Sequence, residues 1–433
     1  MKATVKLTSL LVLLVVILSS VGVTPVHSGG GILYVKPSPT GWGTCGSWAN
    51  ACTLQMALIA AVSGNHIWVI AGTHKPTTGT DRNATFQLKS GVTVLGGFNG
   101  TEIDITDENK RDPVKNITIL SGGIGAVVNS DNSYHVVTGA TGAILDGFTI
   151  VAGNASGSSP NNNGGGMYND SSSPTLINIT FSGNKASYSG GGIYNDGGSP
   201  MLTDVTFNSN SADFGGGGMC NIAGNSTLTN VTFRGNSAFT EGGGMLNDSN
   251  ATLTNVTFFH NSTQNVGGGM FNNGDPTLTN VTFSGNSARY GGGMSNGGHP
   301  VLTNVTFSNN SATNDGGGIL NAGNPILTNV TFSGNSAIEH GGGMYNEYSG
   351  FPTINNTIFW SNTATTGAQI DNNGIGIPFI NDSVIEGGCP GGSACNAVIT
   401  SDALIGPLGN YGGFTQTIPL LPGSSAIDMG NDT

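Results

Sequence analysis

Hydrolysis of a glycosidic bond needs two carboxylates at a suitable separation, and lyase chemistry needs a base, often beside acidic calcium ligands. The acidic residues in the middle of the chain, Asp204, Asp213, Glu241, Asp248, Asp275, Asp315, Glu339 and Glu347, are scattered rather than paired. The nearest constellation is Asp315 with His340, at matching positions in adjacent repeats, with Glu339 alongside. On exposed loops these read as a solvated surface pair. A denser group, Asp104, Asp107, Glu108, Lys110, Arg111 and Asp112, lies outside the regular repeats. It is the first place to look if the protein is an enzyme. The recurrent triple glycines invite a phosphate-loop reading, but none is followed by the Lys-Ser/Thr of a nucleotide site. Tight backbone approach at a corner explains them better. No catalytic residue, metal ligand or cofactor is expected.

The elements that carry these residues come from one repeated unit, close to Leu-Thr-Asn-Val-Thr-Phe-Ser-Gly-Asn-Ser-Ala…Gly-Gly-Gly-Met-x-Asn. Its Phe column is Phe181, Phe207, Phe233, Phe258, Phe283, Phe307, Phe332 and Phe359, spaced by 24–27 residues. Met167, Ile193, Met219, Met245, Met270, Met294, Ile319 and Met344 form a second column. No part of the unit has helical periodicity, and short alternating segments split by Gly and Asn read as three strands per turn. The expected fold is all-β: a single-stranded right-handed parallel β-helix with coils of about 25 residues. Thr53–Val62 fits a short amphipathic helix capping the first coil. His66–Ala71, Val92–Phe98, Asn116–Leu120, Tyr134–Thr138 and Ala143–Ile150 read as strands of irregular coils.

Alternation assigns faces. Val and Phe of Val-Thr-Phe point inward, and so do the apolar residue and Asn of Met-x-Asn and Leu-Thr-Asn. Asn then marks three corners of each coil. One series is Asn184, Asn210, Asn236, Asn261, Asn286, Asn310, Asn335 and Asn362; a second runs from Asn169 to Asn346. The third is Asn178, Asn230, Asn255, Asn280, Asn304, Asn329 and Asn355, with Asp204 in the gap. Stacked about 4.8 Å apart, such amides can satisfy one another in ladders. Two sets of aromatic residues are candidates for binding. Tyr168, Tyr194, Phe271 and Tyr345 occupy the outward position between Met and Asn, while Tyr188, Phe214, Phe239 and Tyr290 follow the Phe-x-x-Asn corner. An outward Thr column (Thr180, Thr206, Thr232, Thr257, Thr282, Thr306, Thr331) raises lattice or ice binding as a further alternative, although Thr is also simply a good strand residue.

The termini and composition bound the rest. Residues 1–28 have the basic start, apolar run and small −3 and −1 residues of a secretory leader, with cleavage placed after Ser28. Residues 29–115 read as a cap and first irregular coils, 116–380 as the β-helix with regular repeats at 164–364, and 381–433 as a closing module. Cys45 with Cys52, and Cys389 with Cys395, are placed to close small loops, which suits an exported protein. Cys220 is left over and reads as a solvent-side variant of the outward column. A formal charge of −12 excludes nucleic acid and disfavours anionic polymers as partners. No transmembrane segment is expected after leader cleavage, and a monomer is expected.

The Phe-x-x-Asn units with Gly-Gly-Gly-Met/Ile over 164–364 resemble the repeats of chlamydial polymorphic outer-membrane proteins. That resemblance implies a surface β-helix, in several cases adhesive. Tyr34-Val35-Lys36, Ser47-Trp48-Ala49-Asn50-Ala51-Cys52 and Ile67-Trp68-Val69 are similar to a broader group of secreted bacterial β-helices with the pectin-lyase-like fold. Gly406-Pro407-Leu408-Gly409-Asn410 and Leu420-Leu421-Pro422-Gly423-Ser424 resemble a module that precedes varied surface anchors. No anchor is read between that module and Thr433, so either the anchor is absent or the chain is incomplete. The expected function is a non-catalytic, secreted or cell-surface scaffold, adhesin-like and outer-membrane-associated in one form, binding glycans or a protein. The alternative is a polysaccharide lyase or glycoside hydrolase.

Overall fold

A computed structural model describes residues 30–125, 129–348 and 350–430, so the leader expected over 1–28 lies outside the described residues. The chain winds as a right-handed parallel β-helix in which, among the described residues, the strands of successive coils pair in parallel. One coil shows the plan. Met219–Asn221 lies in one sheet, Thr227–Thr229 and Thr232–Arg234 lie in a second, and Ser237–Ala238 lies in a third. We call these the Met, Phe and Ser sheets. Residues pair with their counterparts one coil on, as in Met219↔Met245 and Phe233↔Phe258.

This register turns each inward column into a stack. The rings from Phe181 to Phe359 lie nearly parallel, with centroid spacings of 4.3–5.2 Å, and all are fully buried. Truncating one ring would cost about 3–5 kcal/mol through the cavity left behind. The asparagine series from Asn184 is equally buried and forms a continuous ladder. Asn236 Nδ2 donates to Asn261 Oδ1 at 3.0 Å and to the Phe207 carbonyl at 2.9 Å. The ladder ends on Gln369, whose Oε1 accepts from Asn362 Nδ2 and whose Nε2 donates to Glu386. The Met-x-Asn series forms a second internal ladder, as in Asn272 Nδ2 to Asn296 Oδ1 at 2.9 Å.

The third asparagine series departs from the expected inward placement. Asn230, Asn255, Asn280, Asn304 and Asn329 adopt left-handed φ of 55–57° and lie at the solvent side of the Phe sheet. Strict alternation would turn them inward. The left-handed residue instead bends the chain, so that Leu228 before it and Val231 after it both enter the core. In the last coil the matching residue is Asn356, with φ 48°, because Asn355 pairs with Thr328. These amides still form a ladder, but each donates toward the preceding coil, as in Asn255 Nδ2 to Asn230 Oδ1 at 3.0 Å.

The triple glycines make the corner between the Ser and Met sheets. Gly216 has φ 64°, and a Cβ there would meet Met219 O at 2.4 Å. A Cβ on Gly217 would meet Ser237 O at 2.3 Å, and one on Gly218 would meet the Phe233 ring at 2.8 Å. Their amides bond the next coil, as in Gly216 N–H to Glu241 O and Gly217 N–H to Gly242 O. Those N–H groups are therefore not available to an anion.

At the amino-terminal end a helix, Leu54–Ala60, starts at Thr53, whose Oγ1 accepts from the Met56 amide. Its Leu54, Ala57 and Leu58 join the apolar core. Cys45–Cys52 and Cys389–Cys395 are disulfide-bonded near the two ends. Ala394–Ile399, within the expected closing module, pairs on Phe379–Ile385 as the last strand of the β-helix, and beyond it runs the tail. It forms a short antiparallel hairpin, with Gly409 and Thr417 bonded to each other, and folds back along the outside of the Phe sheet. There Thr282 Oγ1 donates to Gln416 O at 2.6 Å and Thr415 Oγ1 donates to Asn280 O at 3.3 Å.

Candidate functional site

The Ser sheet contributes only two residues per coil, the inward one Ala or, at Thr263, Thr, and the outward one Ser except for Asn154 and Lys185 in the first coils. Such a short flat strip between bulkier corners leaves a trough along the helix axis. At its amino-terminal end a concavity of about 620 Å³ is lined by residues including Ser130, Asn132, Asn154, Ser182, Lys185 and Asp213. It continues through Lys185 and Asp213 into a second concavity of about 390 Å³, lined by residues including Ser211, Ser237, Phe239, Ser262 and Gln264. The lining is mixed, with apolar surface from Val151, Ala152, Ala212, Ala238 and Phe239, and its polar groups are mainly hydroxyls and amides. Lys185 Nζ and Asp213 Oδ1 are 3.8 Å apart and well exposed, so their attraction is screened and both remain available to a ligand.

Aromatic rings border this trough. Tyr188, next to Ser187 of the lining, stacks on Phe214 with centroids 4.9 Å apart and planes 8° apart. Tyr188 is 47% exposed and Phe239 58% exposed. Tyr290 does not join this border: it is half-buried in the neighbouring column that precedes each triple glycine, with the Arg289 guanidinium 5.0 Å from its ring centroid. Arg82, which sequence reasoning did not single out, pins the trough's end. Its Nε donates to Asn132 O and its Nη2 to Asn154 O. No repeat marks Arg82, and only the path of the irregular coils brings it there.

The other aromatic set is covered. The loop before each triple glycine folds over the outward Met-x-Asn position, so a Cβ on Gly215 would meet Leu246 Cδ1 at 2.5 Å. Tyr345 is 5% exposed, while Tyr168, Tyr194 and Phe271 are half-buried. Tyr168 and Tyr194 stack 5.7 Å apart, and burial is the main cause raising both phenol pKa values. Cys220 belongs to this column, and its expected solvent exposure is corrected by the same loops: it is fully buried. Burial pushes its thiol upward, which leaves it protonated and unreactive.

The acidic–basic group near residue 108 is used structurally. Glu108 accepts from Trp68 Nε1 and is 2.8 Å from His66 Nδ1, in a buried pocket. Asp107 pairs with Lys110, Arg111 pairs with Asp146, and Asp104 and Asp112 accept from backbone amides of their own turns. The Thr column does not form an open lattice-matching face, because the tail lies across it and buries Thr282 and Thr306. Asp315 and His340 are neighbours as expected, but His340 Nδ1 lies 2.7 Å from Asp371 Oδ2, on the next coil.

Among the described residues, no helix is long and apolar enough to cross a membrane. The sequence model of the right-handed beta helix region matches residues 244–403, and that of the Chlamydia polymorphic membrane protein repeat matches residues 178–196. No curated protein sequence matches the chain. Similar solved structures include a pectate lyase, 14% identical, with 80% of each chain covered and a TM-score of 0.41. Another is the A-module of a mannuronan C-5 epimerase from Azotobacter vinelandii, 14% identical, covering 81% of this chain and 95% of that one, with a TM-score of 0.27. The chain is a right-handed parallel β-helix, and its residues 178–196 are similar to the repeat of Chlamydia polymorphic membrane proteins.

Proposed function

We propose that the protein is an exported, non-catalytic scaffold, adhesin-like in use, that holds a neutral glycan along the trough over the Ser sheet. The observation that carries this reading is the exposed aromatic border, Tyr188 on Phe214 with Phe239 beyond, beside a floor of hydroxyls. Aromatic faces take up the C–H faces of sugar rings, and Ser and Asn side chains exchange hydrogen bonds with sugar hydroxyls. The coil spacing of about 4.8 Å is close to the length of one sugar unit, so successive coils can meet successive units. The trough's lining includes one carboxylate, Asp213, where glycosidic hydrolysis calls for two. A net charge of −12 favours a neutral chain over an acidic one. The leader-like start and the two disulfides fit an oxidising, extracellular or cell-surface location.

A screen of the protein against immobilised neutral oligosaccharides tests this. Binding is expected, and Tyr188→Ala with Phe239→Ala should weaken it about tenfold, at roughly 0.7 kcal/mol per ring. Binding unchanged in a folded double variant would remove the trough from the account.

A further inference from the structure

Asp315 and His340 are in-register neighbours in the column that precedes each triple glycine. In the coils before them this column holds Ser189, Gly215, Glu241, Val266 and Tyr290, and in the coil after them Thr366. Only here do a carboxylate and an imidazole stack, with Glu339 adjoining. One ligand atom from each of Asp315, Glu339 and His340 lies within 4.8 Å of the others. Two further observations point to a cation. Asp315 Oδ1 is buried and accepts no hydrogen bond, although the His340 backbone N–H bonds the same carboxyl group; a buried oxygen left without a partner is costly unless something else compensates it. His340 Nδ1 is held by Asp371 Oδ2 at 2.7 Å, which leaves Nε2 as the ring's lone pair. The Tyr345 ring, 5.5 Å from the imidazole by centroid, fixes the plane of His340 from the other side. A carboxylate behind the imidazole is the arrangement that orients metal-binding histidines and strengthens them as donors.

We propose that Asp315, Glu339 and His340 form a site for a divalent cation of the zinc class, with Asp371 as a positioning residue behind His340. Mixed imidazole and carboxylate donors suit zinc, whereas calcium takes oxygen donors alone. Ligands at about 2.1 Å from zinc lie within ~4.2 Å of one another, so the present spacing closes with a small rotation of exposed Glu339. None of the three residues lines the Ser-sheet concavities, so the test of this site is separate from the test of glycan binding.

The test is a calorimetric titration of the chelator-treated full chain with zinc, repeated with cobalt(II) to read the ligand-field spectrum. One zinc per chain is expected, together with a cobalt spectrum of low coordination number. Glu339→Gln and Asp315→Asn should each weaken zinc binding at least about tenfold, and Asp371→Asn about 10–100-fold with an altered cobalt spectrum. Glu339 is exposed, so its variant keeps the fold and gives a clean readout. Absence of stoichiometric zinc binding, affinity unchanged in Glu339→Gln, or preference for calcium over zinc overturns the assignment.

Discussion

Asn210 Nδ2 donates to Asn236 Oδ1 at 3.0 Å, and the Asn210 backbone N–H bonds the same oxygen at 2.9 Å. One side-chain oxygen of each coil thus ties down both the side chain and the main chain of the coil before it. This double attachment recurs from Asn184 to Asn362 along the corner between the Phe and Ser sheets.

Replacing one member breaks both attachments and orphans a buried amide. Asn236→Ala should cost about 1–3 kcal/mol. Asn236→Asp removes the donor but keeps the acceptor, and is expected to be destabilising as well. Urea unfolding of each variant beside the parent gives the comparison.

The outward series responds to different rules. Asn255 has φ 57° and is only half-buried, so its backbone conformation matters more than its ladder. Asn255→Gly should stay within about 1 kcal/mol of the parent, while Asn255→Val should lose about 1–2 kcal/mol more from left-handed strain. Thermal unfolding of the pair separates the two effects.

Much of this architecture is legible in the sequence, because each inward column is repeated in every coil. The Phe and Met stacks, the two internal ladders and the helix after Thr53 follow from periodicity and capping. What stayed hidden depends on how loops and the tail travel over the surface. Alternation assigns the outward side of Tyr345 and Cys220 but cannot reveal the loops that bury them. Nor can it reveal the tail over Thr282, or that Asp371, where the repeat has decayed, meets His340. The third asparagine series was misplaced because a single left-handed residue resets the alternation.

A methyl group at the glycine corner has nowhere to go. Gly217→Ala would drive its Cβ against Ser237 O and Gly243 O, at 2.3 and 2.5 Å, both of them backbone atoms. A loss of about 1–3 kcal/mol or more is expected, read as a lower unfolding midpoint. Gly183→Ala has open space around its Cβ but φ 63°, so it should cost only the smaller left-handed strain, about 1–2 kcal/mol.

Acid should weaken the first coils. Burial is the main cause holding the His74 and His135 pKa values below the ordinary histidine range, against the opposing effect of their hydrogen bonds. The unfolded chain takes up protons near pH ~6.5, before the folded one does. Their stabilising contribution is therefore complete above about pH 6.5 and declines as the pH falls toward the lowered folded values. Urea midpoints at about pH 7.5 and about pH 5.5 should differ in that direction, and His135→Gln should flatten the slope.

The claim at the centre of this account is that the trough binds a sugar chain without cleaving it. Its most direct test is titration of a neutral oligosaccharide found by screening into the parent and the Tyr188→Ala/Phe239→Ala protein, with the recovered sugar analysed for breakdown. The account predicts saturable binding by the parent, a loss of about tenfold in the variant, and intact sugar throughout. Equal binding by both proteins, or progressive degradation of the sugar, would contradict it.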